Sequence, residues 1–230
     1  MNKSVTASDG VARAATGVAM IGWFIVHTVV WIGLVRLLPG DDFVEYPDLG
    51  ALGLPWMRQF VIPLLVVLAL QIILITRRGW WKPVLSDESR TTRKWLAIPP
   101  VIIVVIGLSQ FISDGLSDAP THYWIGMTLT MLLVGTTEEL SFRGILLVGG
   151  RQVFGREWIA FLVSSALFGL FHLPNVILGQ EFGPTVTQVV ATAVIGSAFY
   201  CLRRVTGSII PCIVLHAAYD WALIQSSAMP

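Results

Sequence analysis

Seven apolar runs divide the chain, at about residues 17–38, 60–76, 95–112, 123–148, 158–172, 186–202 and 209–224, with polar or charged residues between them. A membrane-crossing helix needs about 20 mostly apolar residues, and these runs recur at or near that length. The pattern predicts an all-α fold: a polytopic transmembrane helix bundle of about seven spans, or eight if residues 173–185 form a re-entrant element. The first run is longer than the ~7–15-residue core of a signal peptide, and no small-x-small cleavage site follows it. It is expected to be a retained helix. Residues 1–16 are polar or small and expected to fray. The loop 39–59 carries Asp41, Asp42, Glu45 and Asp48, and the loop 77–94 is basic. Pro99 and Pro100 are expected to bend the first turns of the third span, and Pro174 stops the fifth.

Composition agrees with the pattern. Only 13% of residues are charged, against about 25% in an ordinary soluble domain. The net charge of +1 and the lack of a basic patch with interleaved aromatics give no support to nucleic-acid binding. Cys201 and Cys212 have neither pairing nor metal spacing and read as apolar fillers. Charge position sets an orientation. If the N-terminus is cytoplasmic, the inner loops collect Lys3, Arg13, Arg77, Arg78, Lys82, Arg90, Arg93, Lys94, Arg151, Arg156, Arg203 and Arg204, whereas the outer ones collect only Arg36 and Arg58. Seven spans then put the C-terminus outside, and the expected location is the plasma (inner) membrane. Trp56, Trp80, Trp81, Trp95, Trp124 and Trp158 stand at span ends, as an interfacial aromatic belt does.

One stretch breaks the apolar pattern. Within GTTEELSFRG, residues 135–144, the charges of Glu138, Glu139 and Arg143 arrive with apolar residues on both sides. A charge at a helix centre costs roughly 2.5–3.5 kcal/mol on insertion scales, so such groups face protein or water and mark function by default. His172, at the end of FGLFH, and His216 and Asp220, in LHAAYD, stand deep in later spans. At 1.5 Å per residue, Glu138 lies roughly 15–17 Å from the inner end of its span, His172 roughly 21 Å, and His216 and Asp220 roughly 10–17 Å. In a hydrocarbon core roughly 30 Å thick, all of these fall in one middle layer.

Helical spacing sorts the groups. Glu139 and Arg143 are four apart on one face and are expected to form an ion pair that lowers the cost of both. Glu138 is turned about 100° away, toward Ser141 and Phe142, and is left free as the working carboxylate. Ser165 and Gly169 are small residues that allow a neighbouring helix to approach. His216 and Asp220 are again four apart, so the carboxylate can orient the imidazole. A structural role is expected for His27, alone in the first span, and for His122, at an interface.

A carboxylate and an imidazole in one pocket can activate water. Glu138 is the candidate general base, with His172 on the same water. His216 suits the oxyanion that forms when water attacks a carbonyl, with Asp220 orienting it. No serine or cysteine sits in a nucleophile setting, and nothing activates Ser141, the serine nearest Glu138. No cofactor is expected; the second reading is zinc on Glu138, His172 and His216, although the chain has no HExxH. Two other function classes use the same groups: an ion- or proton-coupled transporter with a buried relay, which normally shows an internal repeat not seen here, and a non-catalytic scaffold or immunity protein.

The ordered motifs EELSFR (138–143), FGLFH (168–172) and HAAYD (216–220) resemble those of the CAAX-protease and bacteriocin-processing family of intramembrane endopeptidases, known as CPBP or Abi. The resemblance covers about 123–224. It divides the chain into an N-terminal part, 1–122, with three spans and their loops, and a family-like catalytic membrane core, 123–230. It implies hydrolysis of a peptide bond in a membrane-embedded or lipidated protein or peptide. Glu138 and His172 would activate water, and His216 with Asp220 would support the oxyanion. Asp220 stands where the eukaryotic members have asparagine, and a carboxylate does not donate a hydrogen bond unless protonated.

Overall fold

The computed structural model describes residues 7–39, 52–114 and 118–225; the acidic loop residues Asp41, Asp42, Glu45 and Asp48 lie outside them. The elements are α1 (Ala7–Leu37), α2 (Leu54–Arg78), a short α3 (Trp81–Leu85), α4 (Ile98–Asp114), α5 (Thr121–Glu139), a π-helical stretch (Leu140–Leu146), α6 (Leu147–Phe154), α7 (Glu157–Leu170), α8 (Phe182–Thr206) and α9 (Ile210–Ile224). Among the described residues there is no strand, and the protein is a helical membrane bundle. Among the described residues five helices are long and apolar enough to cross a membrane: Asp9–Leu37, Leu54–Arg78, Lys94–Ser113, Glu157–Val176 and Phe182–Thr206. The run from α5 through α6 carries the three charges, and α9 is a shorter apolar helix of 15 residues.

Local chemistry explains where these helices begin. A proline in the first turn has no N–H to lose and a φ already suited to a helix. Pro55, Pro99, Pro100 and Pro211 all occupy such positions in or at the start of α2, α4 and α9. Several boundaries differ from the sequence reading. Residues 7–16 are helical, because Thr16 joins the helix by bonding Ala12 O at 3.0 Å and accepts from Arg78 Nη2 at 2.9 Å. The expected loop 149–157 is helix as far as Phe154. Residues 173–181 contain a 3₁₀ turn, Leu173–Val176, and α8 begins at Phe182.

The outer surface is apolar. Val18, Ile25, Val29, Ile102, Val105, Ile112, Val190 and Val194 are all more than half exposed, as lipid-facing residues of a bundle are. Two buried clusters hold the centre. One joins Trp23, Val67 and Ile75 to Leu140, Ile145 and Ile209; the other joins Met20 and Ile103 to Phe142, Phe168 and Phe199. Each combines residues from the first three spans with residues of the motif-bearing spans.

Polar groups fasten one end. Arg151 bonds Asp87 at 2.9 Å and Glu157 at 2.7 Å, and Arg204 bonds Glu157 at 2.8 Å. Arg203 stands 3.5 Å from Asp87 and donates to the carbonyls of Val84 and Pro83. Gly207, at φ 74°, ends α8, and its carbonyl accepts from the Asp87 N–H at 2.9 Å. These contacts tie the loop after α3 to α6, α7 and α8. Burial alone would raise the Asp87 carboxyl, but Arg151, Ser89 and Arg203 outweigh it and hold Asp87 below its usual range.

Candidate active site

The motif stretch turns on π-helical geometry. From Leu140 to Leu146 the backbone widens to the i→i+5 bonding of a π-helix. The Thr137 carbonyl receives Gln71 Nε2 at 2.5 Å, from α2. Ser141 lies beside it. Its hydroxyl accepts from Trp23 Nε1 at 3.0 Å and from Gln71 Nε2 at 2.8 Å, which commits its own proton to His27 Nδ1 at 2.8 Å. His27 is buried at 2% exposure and packs on Phe171 at 4.6 Å. Ser141 therefore belongs to the back of the motif and not to the Glu138 face that regular helical spacing suggests. The widened turn changes which residues share a side.

The front of the motif faces a cavity of about 830 Å³ between α1, α2, α5, α7, α8 and α9. Its walls are mostly apolar, with Trp31, Phe60, Phe171 and Ile195 among them. Glu138, His172, His216 and Asp220 all line it. Three separate parts of the chain thus deliver polar groups to one chamber.

Glu138 and Glu139 divide between front and back. The Glu138 side chain is 13% exposed and lines the cavity, whereas that of Glu139 is 0% exposed. Glu139 Oε1 accepts from Arg143 Nη1 at 2.8 Å. The guanidinium is buried and lies over the Phe168 ring, 4.2 Å from its centroid, and over Phe199 at 5.2 Å. Aromatic faces attract a desolvated cation. Gly196 makes this stacking fit, since a Cβ there would come within 2.8 Å of both Arg143 Nη2 and Phe168 Cδ1.

Glu139 does more than pair with Arg143, and this corrects the division expected from spacing. The same Oε1 receives His216 Nδ1 at 2.8 Å. The cause lies in packing. α9 crosses α5 at Gly135, where a Cβ would stand only 3.0 Å from the Ile213 carbonyl, and that close approach brings His216 onto the motif. The other ring nitrogen, Nε2, stands 3.3 Å from Asp220 and 3.8 Å from Glu138. Phe199 stacks on the ring at 4.9 Å and 18°. His216 is therefore held at Nδ1 by Glu139, with the Asp220 and Glu138 carboxylates on the side of Nε2.

His172 stands two residues past the end of α7, at the start of the 3₁₀ turn. Its Nδ1 contacts the Phe168 carbonyl at 3.0 Å. A carbonyl only accepts, so Nδ1 carries the proton, and a neutral ring then keeps a lone pair on Nε2. Phe168 and Phe171 pack edge-on against the ring.

The second reading places zinc on Glu138, His172 and His216. Among the described residues no three His, Cys, Asp or Glu side chains are grouped to hold a metal ion. Nδ1 of each site histidine is taken, by Glu139 and by the Phe168 carbonyl, which leaves Nε2 of His172 as the open ring nitrogen. Sequence reasoning passed over Gln71, Ser141, Trp23, Asn175 and Gln188 as site-forming residues. A glutamine inside the apolar run LVVLALQIILI is a visible signal, because a buried amide needs partners; the others carried none.

Residues 120–222 match the family model described as type II CAAX prenyl endopeptidase Rce1-like. No curated protein and no solved structure matches the chain. The matched segment contains Glu138, Glu139, Arg143, His172, His216 and Asp220, and it supports an endopeptidase of the CAAX type. Through this segment the chain is similar to the CAAX-protease and bacteriocin-processing family of membrane proteins.

Proposed function

We propose that this protein is an intramembrane endopeptidase that hydrolyses a peptide bond of a membrane-embedded or lipidated protein with water activated by Glu138 and His172. One observation carries the reading: Glu138, His172, His216 and Asp220, from three separate parts of the chain, line a single largely apolar cavity. A water between the Glu138 carboxylate and His172 Nε2 loses a proton to Glu138 as its oxygen attacks the scissile carbonyl carbon. The carbonyl oxygen becomes an oxyanion. In its doubly protonated form His216 gives Nδ1–H to Glu139 and offers Nε2–H to that oxyanion. The C–N bond then breaks, the amine leaves with the proton from Glu138, and the new carboxylic acid is released, losing its proton to solvent. Asp220 and Glu139 hold the imidazole in position. No step is routed through a metal.

The test is cleavage of a model membrane peptide by the purified protein in nanodiscs. Glu138→Gln and His172→Ala should each lower kcat by about 100-fold or more. Undiminished cleavage by either variant removes the role given to that residue. Activity should persist in chelator; a loss that added zinc restores would assign the metal reading instead. The protein is proposed to sit in the plasma (inner) membrane with its N-terminus cytoplasmic and its C-terminus outside, supported by the basic loops around Arg77, Arg151 and Arg203. A C-terminal tag should react with a membrane-impermeant reagent on intact cells, and protection of the tag would reverse the orientation.

A further inference from the structure

Away from the carboxylates, the cavity wall carries a pair of primary amides. Asn175 stands in the 3₁₀ turn after His172, and Gln188 stands on α8; both are half-buried and line the cavity. Asn175 Nδ2 donates to Gln188 Oε1 at 3.0 Å. The Asn175 backbone is itself fixed: its N–H donates to the His172 carbonyl at 3.0 Å, and its carbonyl accepts from Leu178 N at 3.0 Å and Gln180 N at 3.1 Å. The amide is thereby one short turn from the imidazole that borders the reacting water.

A primary amide has two N–H donors and an oxygen with two lone pairs. The mutual bond uses one donor and one acceptor site. It leaves the Asn175 Oδ1 acceptor and the Gln188 Nε2 donors unused by the pair. Exchanging O and N in both amides gives the mirror arrangement, again with an acceptor on one amide and donors on the other left unused. An unused acceptor and donor are what an exposed strand edge presents to an incoming peptide. Apolar walls cannot supply this, and a peptide drawn into an apolar chamber must satisfy its backbone N–H and C=O.

We infer that Asn175 and Gln188 form a peptide-backbone clamp, in which Asn175 Oδ1 accepts a substrate N–H and Gln188 Nε2 donates to a substrate C=O next to the bond that is cut. The clamp rests on the endopeptidase reading for its purpose, but as a binding site it is tested apart from cleavage. It recognises main chain and not side chain, so it holds an extended segment of varied sequence in register with Glu138 and His172.

The experiment uses the full chain carrying Glu138→Gln, in nanodiscs, with a library of single-span peptides bearing short C-terminal tails. The best-bound member is remade as a set of backbone esters, each replacing one amide N–H by oxygen. In this background one ester position should weaken binding roughly tenfold, the size of one lost hydrogen bond. Asn175→Ala should weaken the all-amide peptide by a similar factor and bind that ester no worse than the amide. Gln188→Leu, which keeps the side-chain volume, should weaken the all-amide peptide while the melting temperature stays near that of the parent. Ester and Asn175→Ala effects that multiply independently at every position would overturn the clamp, because the pair then only ties the turn to α8. Failure of every peptide to bind above the level of the Asn175→Ala, Gln188→Leu double variant would also overturn it. Ester-dependent binding without cleavage by the protein bearing Glu138 would keep the clamp and reject the hydrolytic reading.

Discussion

At the scale of single residues, the two adjacent glutamates separate stability from activity. Glu138 borders the cavity and makes no ion pair shorter than its 3.8 Å approach to His216. Glu138→Gln should change stability by less than about 1 kcal/mol, the range of a residue outside the packed network, while removing activity. Glu139 is fully buried and shares one oxygen between Arg143 and His216. Glu139→Gln leaves the Arg143 guanidinium buried without its charge partner, which costs about 3 kcal/mol or more. Thermal melting of the two variants in one detergent measures the difference, and equal melting temperatures would contradict this division. The two residues cannot be told apart by charge or hydropathy. Spacing indicated that Glu139 faces Arg143, but it gave no sign that His216 reaches the same oxygen, because that contact depends on where α9 crosses.

At the scale of elements, the π-helical stretch is held from behind. Gln71 serves two acceptors at once, the Thr137 carbonyl and the Ser141 hydroxyl. Gln71→Leu removes both bonds and takes one donor from each of two buried acceptors, at a cost of about 1–3 kcal/mol. The carboxylates just before the stretch should then lose their alignment. Steady-state kinetics are expected to show kcat falling with KM nearly unchanged, because substrate contacts are kept; a rise in KM alone would argue against this role. Helix contact makes a second demand at Gly196. Gly196→Ala puts a methyl against Arg143 and Phe168 and should destabilise by about 1–3 kcal/mol, as overpacking does, an effect readable in the same melts. The apolar runs located most of these helices in the sequence. Their ends were harder to read. Helical continuation at 7–16 rests on the Arg78 to Thr16 contact, which joins residues far apart in the chain.

For the whole molecule, the polar fastening at one end should give stability a defined pH response. Asp87 is held below the usual carboxylate range, about 3.9. A group depressed in the folded state contributes stability that is present above its unfolded value and lost as pH falls through its folded value. The parent protein should therefore lose thermal stability on acidification below about pH 4. Asp87→Asn leaves Arg203, whose side chain is fully buried, without its carboxylate, and should cost about 3 kcal/mol at neutral pH. That difference should shrink as the parent is acidified. A gap that stays constant from pH 7 to pH 3 would show that Asp87 acts through packing alone.

The sequence by itself determined the membrane class, the approximate positions of the spans and the set of ionisable residues in their interior. Apolar length and the cost of a charge in lipid are local properties, so they can be read from one segment at a time. Tertiary structure decided which of those residues meet. Gly135 admits α9, Gly196 admits Arg143 and Phe168, and Gln71 holds the widened turn at Ser141. Each is a contact between helices distant in the chain, set by side-chain volume and by buried hydrogen bonds that need partners. The layer of charges was legible, but the separation of Glu138 in the cavity from Glu139 on His216 came only from packing.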